Sequence, residues 1–371
     1  MFTYPGNIHI HSSYSDGDGD IGQIASAAST AGLSYVIVTD HQTLAGLPEE
    51  DIRDGVVLLV GAEINSQYNH YLALDLEQLV DSDDYNPQRV IDQVREAGGL
   101  GFIAHPFDRG SRYIEKGKAY PWTEWPVFRF HGIEIWNFSS HWRGIHASLF
   151  KTLYWFFINR KGAMKGPPRR LLRLWDCYNI NGHRAIAVGG TDAHAYIYRL
   201  GFMRTVIFSY RYIFTTINTY IVLENELSRK FSTAKKEIIG ALRDGRCYVA
   251  YDSLGPGSGF SYCAVIGETT LYMGGELQYQ AGIILKIKTP GRRPLIRLIC
   301  DGRLIRESEG NELEYRPVGP GVYRIEVYHR SLLRQSRPWI YSNPIYIKSE
   351  LSSEEIPIMA ERTFTLQEDS K

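Results

Sequence analysis

Cysteine is scarce: four in 371 residues, at Cys177, Cys247, Cys263 and Cys300. They show neither the C-x-x-C spacing of a zinc ribbon nor the density of a secreted disulfide scaffold, so they read as reduced residues in or near the cores. Net charge is lacking too. Forty-one basic residues cancel 41 acidic ones, so no global field draws the chain to nucleic acid or to an anionic membrane, and any attraction for anions must be local. Long apolar runs are missing: the longest, Leu149 to Ile158, falls far short of the ~20 residues a span requires and reads as a buried or interface helix. Gly166-Pro167-Pro168 breaks it before a second helix carrying Leu171, Leu172, Leu174 and Trp175. Lys161, Lys165, Arg169, Arg170 and Arg173 read as the solvated face of that helix pair rather than as a nucleic-acid patch. Met1 to Pro5 carries no basic or apolar leader, so a cytoplasmic protein without a membrane partner is expected.

Histidines and carboxylates, in contrast, recur at the ends of apolar runs. His9 and His11 flank Ile10, and strand alternation points both imidazoles one way and Ile8 and Ile10 the other. Further on come Asp40-His41, Glu63 with His70, His105, and Asp192-Ala193-His194. Nine such side chains, counting Asp16 and leaving Asp40 aside, at one end of successive strands would carry a severe like-charge and desolvation penalty that bound cations remove. His131, His146, His183 and His329 lack such company and read as ordinary surface or core residues. The Asp16 to Asp20 run lacks the twelfth-position Glu of a calcium loop and reads as a ligand loop feeding a helix cap.

Strand-like runs alternate with helices over the first two thirds: Asn7–His11, Tyr35–Thr39, Val56–Ile64, Tyr71–Leu74, Leu100–Ala104, Gly132–Trp136, Ala185–Gly189 and Phe202–Phe208. Helices are predicted over Ile21–Ala31, capped by Asp20 and closed by Gly32, over Pro87–Ala97, closed by Gly98-Gly99, and around Thr233–Leu242. This is an α/β pattern, and a barrel suits it because the polar clusters fall at strand C-termini. After Tyr251 helical periodicity stops. Short runs at 261–266, 282–288, 296–300, 313–316, 321–328 and 339–347 predict a small antiparallel β-sandwich. The expected organisation is a barrel over 1–252, an Ig-like β-sandwich over 253–349 and a polar tail over 350–371.

His9-Ile10-His11, Ser15-Asp16-Gly17, Thr39-Asp40-His41, Gly61-Ala62-Glu63, Ala104-His105-Pro106 and Asp192-Ala193-His194 together resemble the motifs of the polymerase and histidinol phosphatase (PHP) family of metal-dependent phosphoesterases, in family order. The resemblance implies a distorted (β/α)7 barrel with up to three divalent ions, zinc, manganese or iron, at the strand C-termini. It would place His9, His11, Glu63 and Asp192 on the first ion. Glu63 would bridge to a second, held also by His70 and His105, and Asp16, His41 and His194 would hold the third. The sandwich, with Arg337-Pro338-Trp339 and Asn343-Pro344, resembles the subgroup that includes the CehA/McbA-type metallohydrolases.

Hydrolysis is the expected function: a phosphoesterase cleaving a phosphate monoester or diester of a small metabolite, nucleotide or nucleic-acid end with a metal-bound hydroxide, Glu63 and Asp192 serving as metal-holding catalytic residues. A metal-dependent carboxyl ester or carbamate hydrolase is the alternative, and a non-catalytic, metal-stabilised binding protein is the alternative of another class. Nucleic acid enters only as a substrate, and a homo-oligomer stays open. Asp40 reads as a support for a ligand imidazole, a proton-transfer group or a strand-end turn carboxylate. Glu134 ends a strand on the ligand-bearing face. Asn137, His141, Arg143, Arg109 and Arg112 lie on loops that would rim the cleft and grip the substrate. The aromatic segment Tyr120 to Trp125 reads as a lid or a subunit interface.

Overall fold

Seven strands close on themselves in the computed structural model, which describes residues 1–111, 117–144, 154–200, 203–206, 208–330 and 335–349. They are β1 (Phe2–Ile10), β2 (Tyr35–His41), β3 (Val56–Ile64), β4 (Tyr71–Leu74), β5 (Leu100–Ile103), β6 (Gly132–Asn137) and β7 (Ile186–Ala193), with β7 returning to β1. Every neighbouring pair is parallel except those made by β4, which runs antiparallel to β3 and β5. Loop length explains the reversal. Only residues 65–70 separate β3 from β4, enough for a hairpin but short of the dozen residues a parallel crossover needs. The α/β barrel is therefore present, while strict strand–helix alternation fails at this hairpin.

Two apolar layers follow from side-chain alternation. Ile8, Ile37, Leu59, Leu72, Phe102 and Val188 form a cluster inside the barrel, joined by Ala234, Ile238 and Leu242 of α5 (Phe231–Arg243). Val36, Val38, Leu58 and Val60 pack instead with Ile21, Ile24 and Ala28 of α1 (Ile21–Thr30). Asp20 caps α1 in a reciprocal box with Gln23, and Gly32 follows at φ +77. In α2 (Pro87–Glu96), Asn86 caps and Gly98 closes at φ +76.

The antiparallel ribbon of β8 (Ile217–Leu223) and β9 (Cys247–Tyr251) escapes the sequence reading. β8 pairs with the first half of β1, from Phe2↔Leu223 to Gly6↔Thr219, a contact between residues more than 200 positions apart. The run expected at Phe202–Phe208 is instead part of a two-stranded sheet, Ile197–Leu200 with Met203–Val206; residues 201, 202 and 207 lie outside the described residues.

Beyond the ribbon stand β10 (Ser261–Ile266), β11 (Thr269–Tyr272), β12 (Glu276–Gln278), β13 (Ile284–Lys288), β14 (Leu295–Cys300), β15 (Arg303–Glu309), β16 (Glu312–Tyr315), β17 (Gly321–Arg330), β18 (Ser336–Ser342) and β19 (Ile345–Lys348). One sheet runs β11-β10-β13-β16; the other is built on β17. β18 pairs with β9 at Tyr248↔Ser342 and Val249↔Tyr341, so one hydrogen-bonded ladder runs from barrel to sandwich. Tyr220, Val222, Tyr248 and Ala250 of the ribbon share a core with Tyr262, Leu285, Ile325 and Trp339. The run expected as one strand at 339–347 divides at Asn343-Pro344. Asn343 docks on the barrel, donating to the carbonyls of Ala187 and Cys247 and accepting from the Ala187 amide at 2.7–2.9 Å.

Of the expected helix at Leu149–Ile158, residues 149–153 lie outside the described residues, as does the polar tail 350–371. Tyr154–Ile158 form a π-helical turn in which Tyr154 and Ile158 are exposed and Trp155 packs against the core.

Candidate metal centre

The barrel delivers the nine residues from the ends of six strands. β2 and β3 lie in register, with Asp40 opposite Ala62 and His41 opposite Glu63. His70 immediately precedes β4, His105 follows β5, and Asp192 and His194 sit at the end of β7. At the end of β1 simple alternation breaks: His9 adopts φ +70. Ile8 therefore joins the barrel interior and Ile10 the α1 layer, not one common face, while both imidazoles still reach the cluster. His105 (φ +25) and Asp192 (φ +52) are also left-handed, as are Gln42, Asn65, Asn69 and Ala195 beside other members. Non-glycine residues adopt such angles at a cost, which surrounding structure must over-determine.

Glu63 is the hub. Its Oε2 lies 3.1 Å from His9 Nε2, 3.2 Å from His11 Nε2 and 3.3 Å from His41 Nδ1. Its Oε1 lies 2.7 Å from His70 Nδ1 and 3.3 Å from His105 Nε2. Asp192 Oδ1 stands 3.6 Å from His9 Nε2, 3.3 Å from His11 Nε2 and 3.4 Å from His194 Nδ1. Asp16 Oδ1 reaches His194 Nε2 at 3.2 Å and His11 Nδ1 at 3.6 Å, and its Oδ2 is 3.9 Å from His41 Nε2.

These separations fit metal ligands better than hydrogen bonds. Six buried ring nitrogens lack a hydrogen-bond partner: Nε2 of His9 and His70, both nitrogens of His11, and Nδ1 of His41 and His105. Buried polar atoms seldom go unsatisfied. Two ligands each about 2.1 Å from one tetrahedral ion stand roughly 3.4 Å apart, the spacing found around Glu63 and Asp192. Among the described residues four groups are close enough to share an ion: His9–Glu63–His105, His9–His11–Asp192, His41–Glu63–His70 and His11–Asp16–His41–His194. The last includes His11, which the family resemblance assigns to another ion.

Electrostatics inside the cluster is divided. Burial lowers the pKa of His11, but the adjacent Asp192 and Glu63 carboxylates outweigh it and raise the ring to about 9. Burial likewise opposes, and Glu63, Glu134 and Asp192 overcome, at His9, which ends well above the ordinary value. His41 goes the other way: burial dominates and brings it to about 4. Burial would raise Glu63 and Asp192, yet the surrounding imidazoles hold both well below the usual carboxylate range.

Neighbouring residues fix the ligands. Glu134, fully buried, sits 3.2 Å from His9 Nδ1, accepts from the His105 amide at 3.0 Å and from Asn137 Nδ2 at 2.9 Å. Gly190 gives it room, since a Cβ there would stand 2.2 Å from Glu134 Oε1. Asp40 turns to the loop after β1, accepting from the Ser12 amide and hydroxyl at 2.7 and 2.5 Å and from the Ser15 hydroxyl at 2.5 Å. A buried polar chain runs from Thr191 to Asn7 (2.6 Å), Asn7 to Asn218 (2.8 Å) and Asn218 to Asp252 (2.8 Å), tying β7, β1 and β8 together behind the cluster.

The proposed rim residues are less uniform. Asn137 faces Glu134, beside the cluster, and its Oδ1 accepts the Ser140 amide. His141 accepts the Lys165 amide through Nε2, and burial lowers its pKa to about 4. Arg143 donates to the Lys118 carbonyl and lies 5.1 Å from the Tyr120 ring, which stands 5.0 Å from His70. Arg109 is exposed, and Arg112 lies outside the described residues. Sequence reasoning missed Ser12 and Tyr196; Tyr196 stacks 4.7 Å from His194 and donates to Asp16 Oδ2. Their only signal was closeness in sequence to His11 and His194.

A closed α/β barrel with nine ligand-capable side chains gathered at its strand ends defines a metal-binding barrel protein. Residues 7–115 match the family model of the PHP domain. Among solved structures, the chain is similar to a two-domain protein from Bacteroides vulgatus described as containing a predicted PHP-like metal-dependent phosphoesterase. Identity is 15%, coverage 92% of this chain and 95% of that one, and the TM-score 0.40. It is also similar to an amidohydrolase from Chromobacterium violaceum with bound sulfate and no metal, at 16% identity, 51% and 87% coverage and TM-score 0.30. No curated protein matches.

Proposed function

We propose that the protein is a metal-dependent hydrolase that cleaves a phosphate ester at a three-ion centre. The observation that carries this reading is the two-sided carboxylate of Glu63, with Oε2 turned to His9, His11 and His41 and Oε1 to His70 and His105. Such a carboxylate suits a bridge between ions. On the allocation that the family resemblance implies, His9, His11 and Asp192 would hold one, His70 and His105 the next, and Asp16, His41 and His194 the third; the spacing itself groups His70 with His41 and Glu63, and His105 with His9 and Glu63. Bound divalent ions would lower the pKa of a coordinated water to about 7 and polarise the phosphoryl oxygens.

The chain's own residues do the rest. Glu134 orients His9 through Nδ1, and Asp40 holds the Ser12–Ser15 loop that presents Asp16. Three divalent ions against Asp16, Glu63, Asp192 and the adjacent Glu134 leave roughly +2, which favours an anionic substrate over a neutral carboxyl ester or carbamate. Tyr120 beside His70 and Tyr196 beside His194 flank the cluster with aromatic surface for the organic part of the ester.

Elemental analysis of protein reconstituted with manganese or zinc, combined with a panel of aryl phosphate, phosphodiester and carboxyl ester substrates, tests the proposal. Two to three ions per chain and phosphate-ester turnover abolished by Glu63→Gln are expected. Ester-only turnover would replace phosphate by the alternative substrate class. Bound metal with no turnover on any substrate, and unfolding on chelation, would leave a binding protein.

A further inference from the structure

We propose that the segment from Tyr154 to Arg173, with exposed Tyr154 and Ile158 and the cations at the start of α4 (Arg169–Ile180), docks on an anionic lipid surface. The proposal stands apart from the hydrolytic reading. Balanced charge over 371 residues conceals a local extreme: between Ile135 and Trp175 there are eight lysines and arginines and no aspartate or glutamate. Within it, Lys165, Arg169, Arg170 and Arg173 are exposed, and among the described residues no carboxylate lies within ion-pair distance of any of them.

Helix energetics makes this arrangement costly for the protein alone. Arg169 and Arg170 occupy the first turn of α4, which holds no acidic residue, so their charges oppose the helix dipole. Arg169 and Arg173 are like charges at i,i+4. α4 buries Leu171, Trp175 and Tyr178, which leaves these guanidinium groups outward. An anionic partner converts each unfavourable placement into a favourable one.

Earlier in the same segment the chain exposes apolar surface. Ile158 is 75% and Tyr154 44% exposed, at the end of the run Leu149–Ile158, whose single charge is Lys151. Exposed aliphatic and aromatic side chains in one segment with lysines and arginines that no carboxylate neutralises are the combination by which a segment lies in a bilayer interface. A nucleic acid would use the cations and stack on an aromatic ring, but gains nothing from a projecting isoleucine. No helix among the described residues is long and apolar enough to cross a membrane, consistent with a segment that rests on the surface. The Arg170 guanidinium lies 4.6 Å from the ring of Phe107.

Co-sedimentation of the full chain with phosphatidylcholine vesicles, with and without one third phosphatidylserine, tests this. Binding at least about tenfold stronger to the anionic vesicles, weakened by salt, is expected. Ile158→Glu and the pair Arg169→Glu/Arg173→Glu should each reduce it about tenfold or more, with circular dichroism unchanged. Lys165→Glu, outside the helix, supplies the same test if the arginine pair does not fold. Equal binding to both vesicles, or variants that bind as the parent does, would overturn the proposal. So would single-stranded oligonucleotide binding that survives Ile158→Glu without vesicle binding, or self-association abolished by that substitution, which would assign the face to nucleic acid or to a second copy of the chain.

Discussion

Arg324 and Asp176 meet through two parallel hydrogen bonds, Nε to Oδ1 at 2.6 Å and Nη2 to Oδ2 at 2.8 Å, joining β17 of the sandwich to α4. Arg324 also donates to Glu326 Oε1 at 2.7 Å, and all three are buried. Removing the cation alone strands two carboxylates away from water. Arg324→Met is expected to cost about 3–5 kcal/mol, measured by urea unfolding. The triple change Arg324→Met/Asp176→Leu/Glu326→Leu should recover much of it, because it leaves no unpaired charge; a triple variant weaker than the single would reject this account.

Glu134 touches no ligand-facing nitrogen of the cluster, only the Nδ1 side of His9 and the amide of His105. Glu134→Gln keeps the shape but weakens the grip on the imidazole. Metal affinity, read by competition with a chelator, is expected to fall about 10- to 100-fold, while Tm of the metal-free protein moves little. Unchanged affinity would show that Glu134 serves packing alone.

Metal binding and pH are linked through His11. Raised from 6.5 to about 9 in the metal-free protein, it is protonated at pH 7 and must shed that proton to become a ligand. Unbuffered metal addition at pH 7 should therefore release protons, and apparent affinity should climb from pH 6.5 to 9. Stability of the metal-free protein runs oppositely. A raised folded-state pKa contributes stability that is full below about 6.5 and lost as pH passes about 9. Thermal melts with and without metal should diverge across that window; parallel curves would contradict the assignment.

Asp40 binds the loop rather than its neighbour His41. Asp40→Ala frees Ser12 and Ser15, and with them the loop that carries Asp16. The ion expected among Asp16, His41 and His194 should be lost first, lowering stoichiometry by about one per chain and leaving the ions on Glu63 in place. Uniform loss of all ions would mean that Asp40 supports the whole cluster.

What the sequence made legible follows the range of the interactions. Val56–Ile64, Tyr71–Leu74 and Ser261–Ile266 match the expected strands because apolar runs and turn residues are local signals. The Asp20 cap is equally local. The ribbon β8–β9 was missed because its identity depends on pairing with Phe2–Gly6, and no local pattern records a partner 200 residues away. Reversal of β4 was readable in principle from the six-residue gap before it. At the cluster, residue type and position at strand ends sufficed to bring His9, Glu63 and Asp192 together. Yet period-2 alternation misplaced Ile8, because φ +70 at His9 is a tertiary constraint with no local sign. Arg143 and His141 were named for their chemistry, but the structure employs both on nearby backbone.

The unbroken ladder through β9 and β18 makes the carboxy-terminal third a guard for the rest. Cutting the chain after Tyr251 would bare the backbone donors and acceptors of Tyr248–Ala250 along a flat margin, together with the apolar rings of Tyr220 and Tyr248. An uncapped margin of that kind recruits other chains, so the isolated amino-terminal piece should precipitate even with every ligand intact.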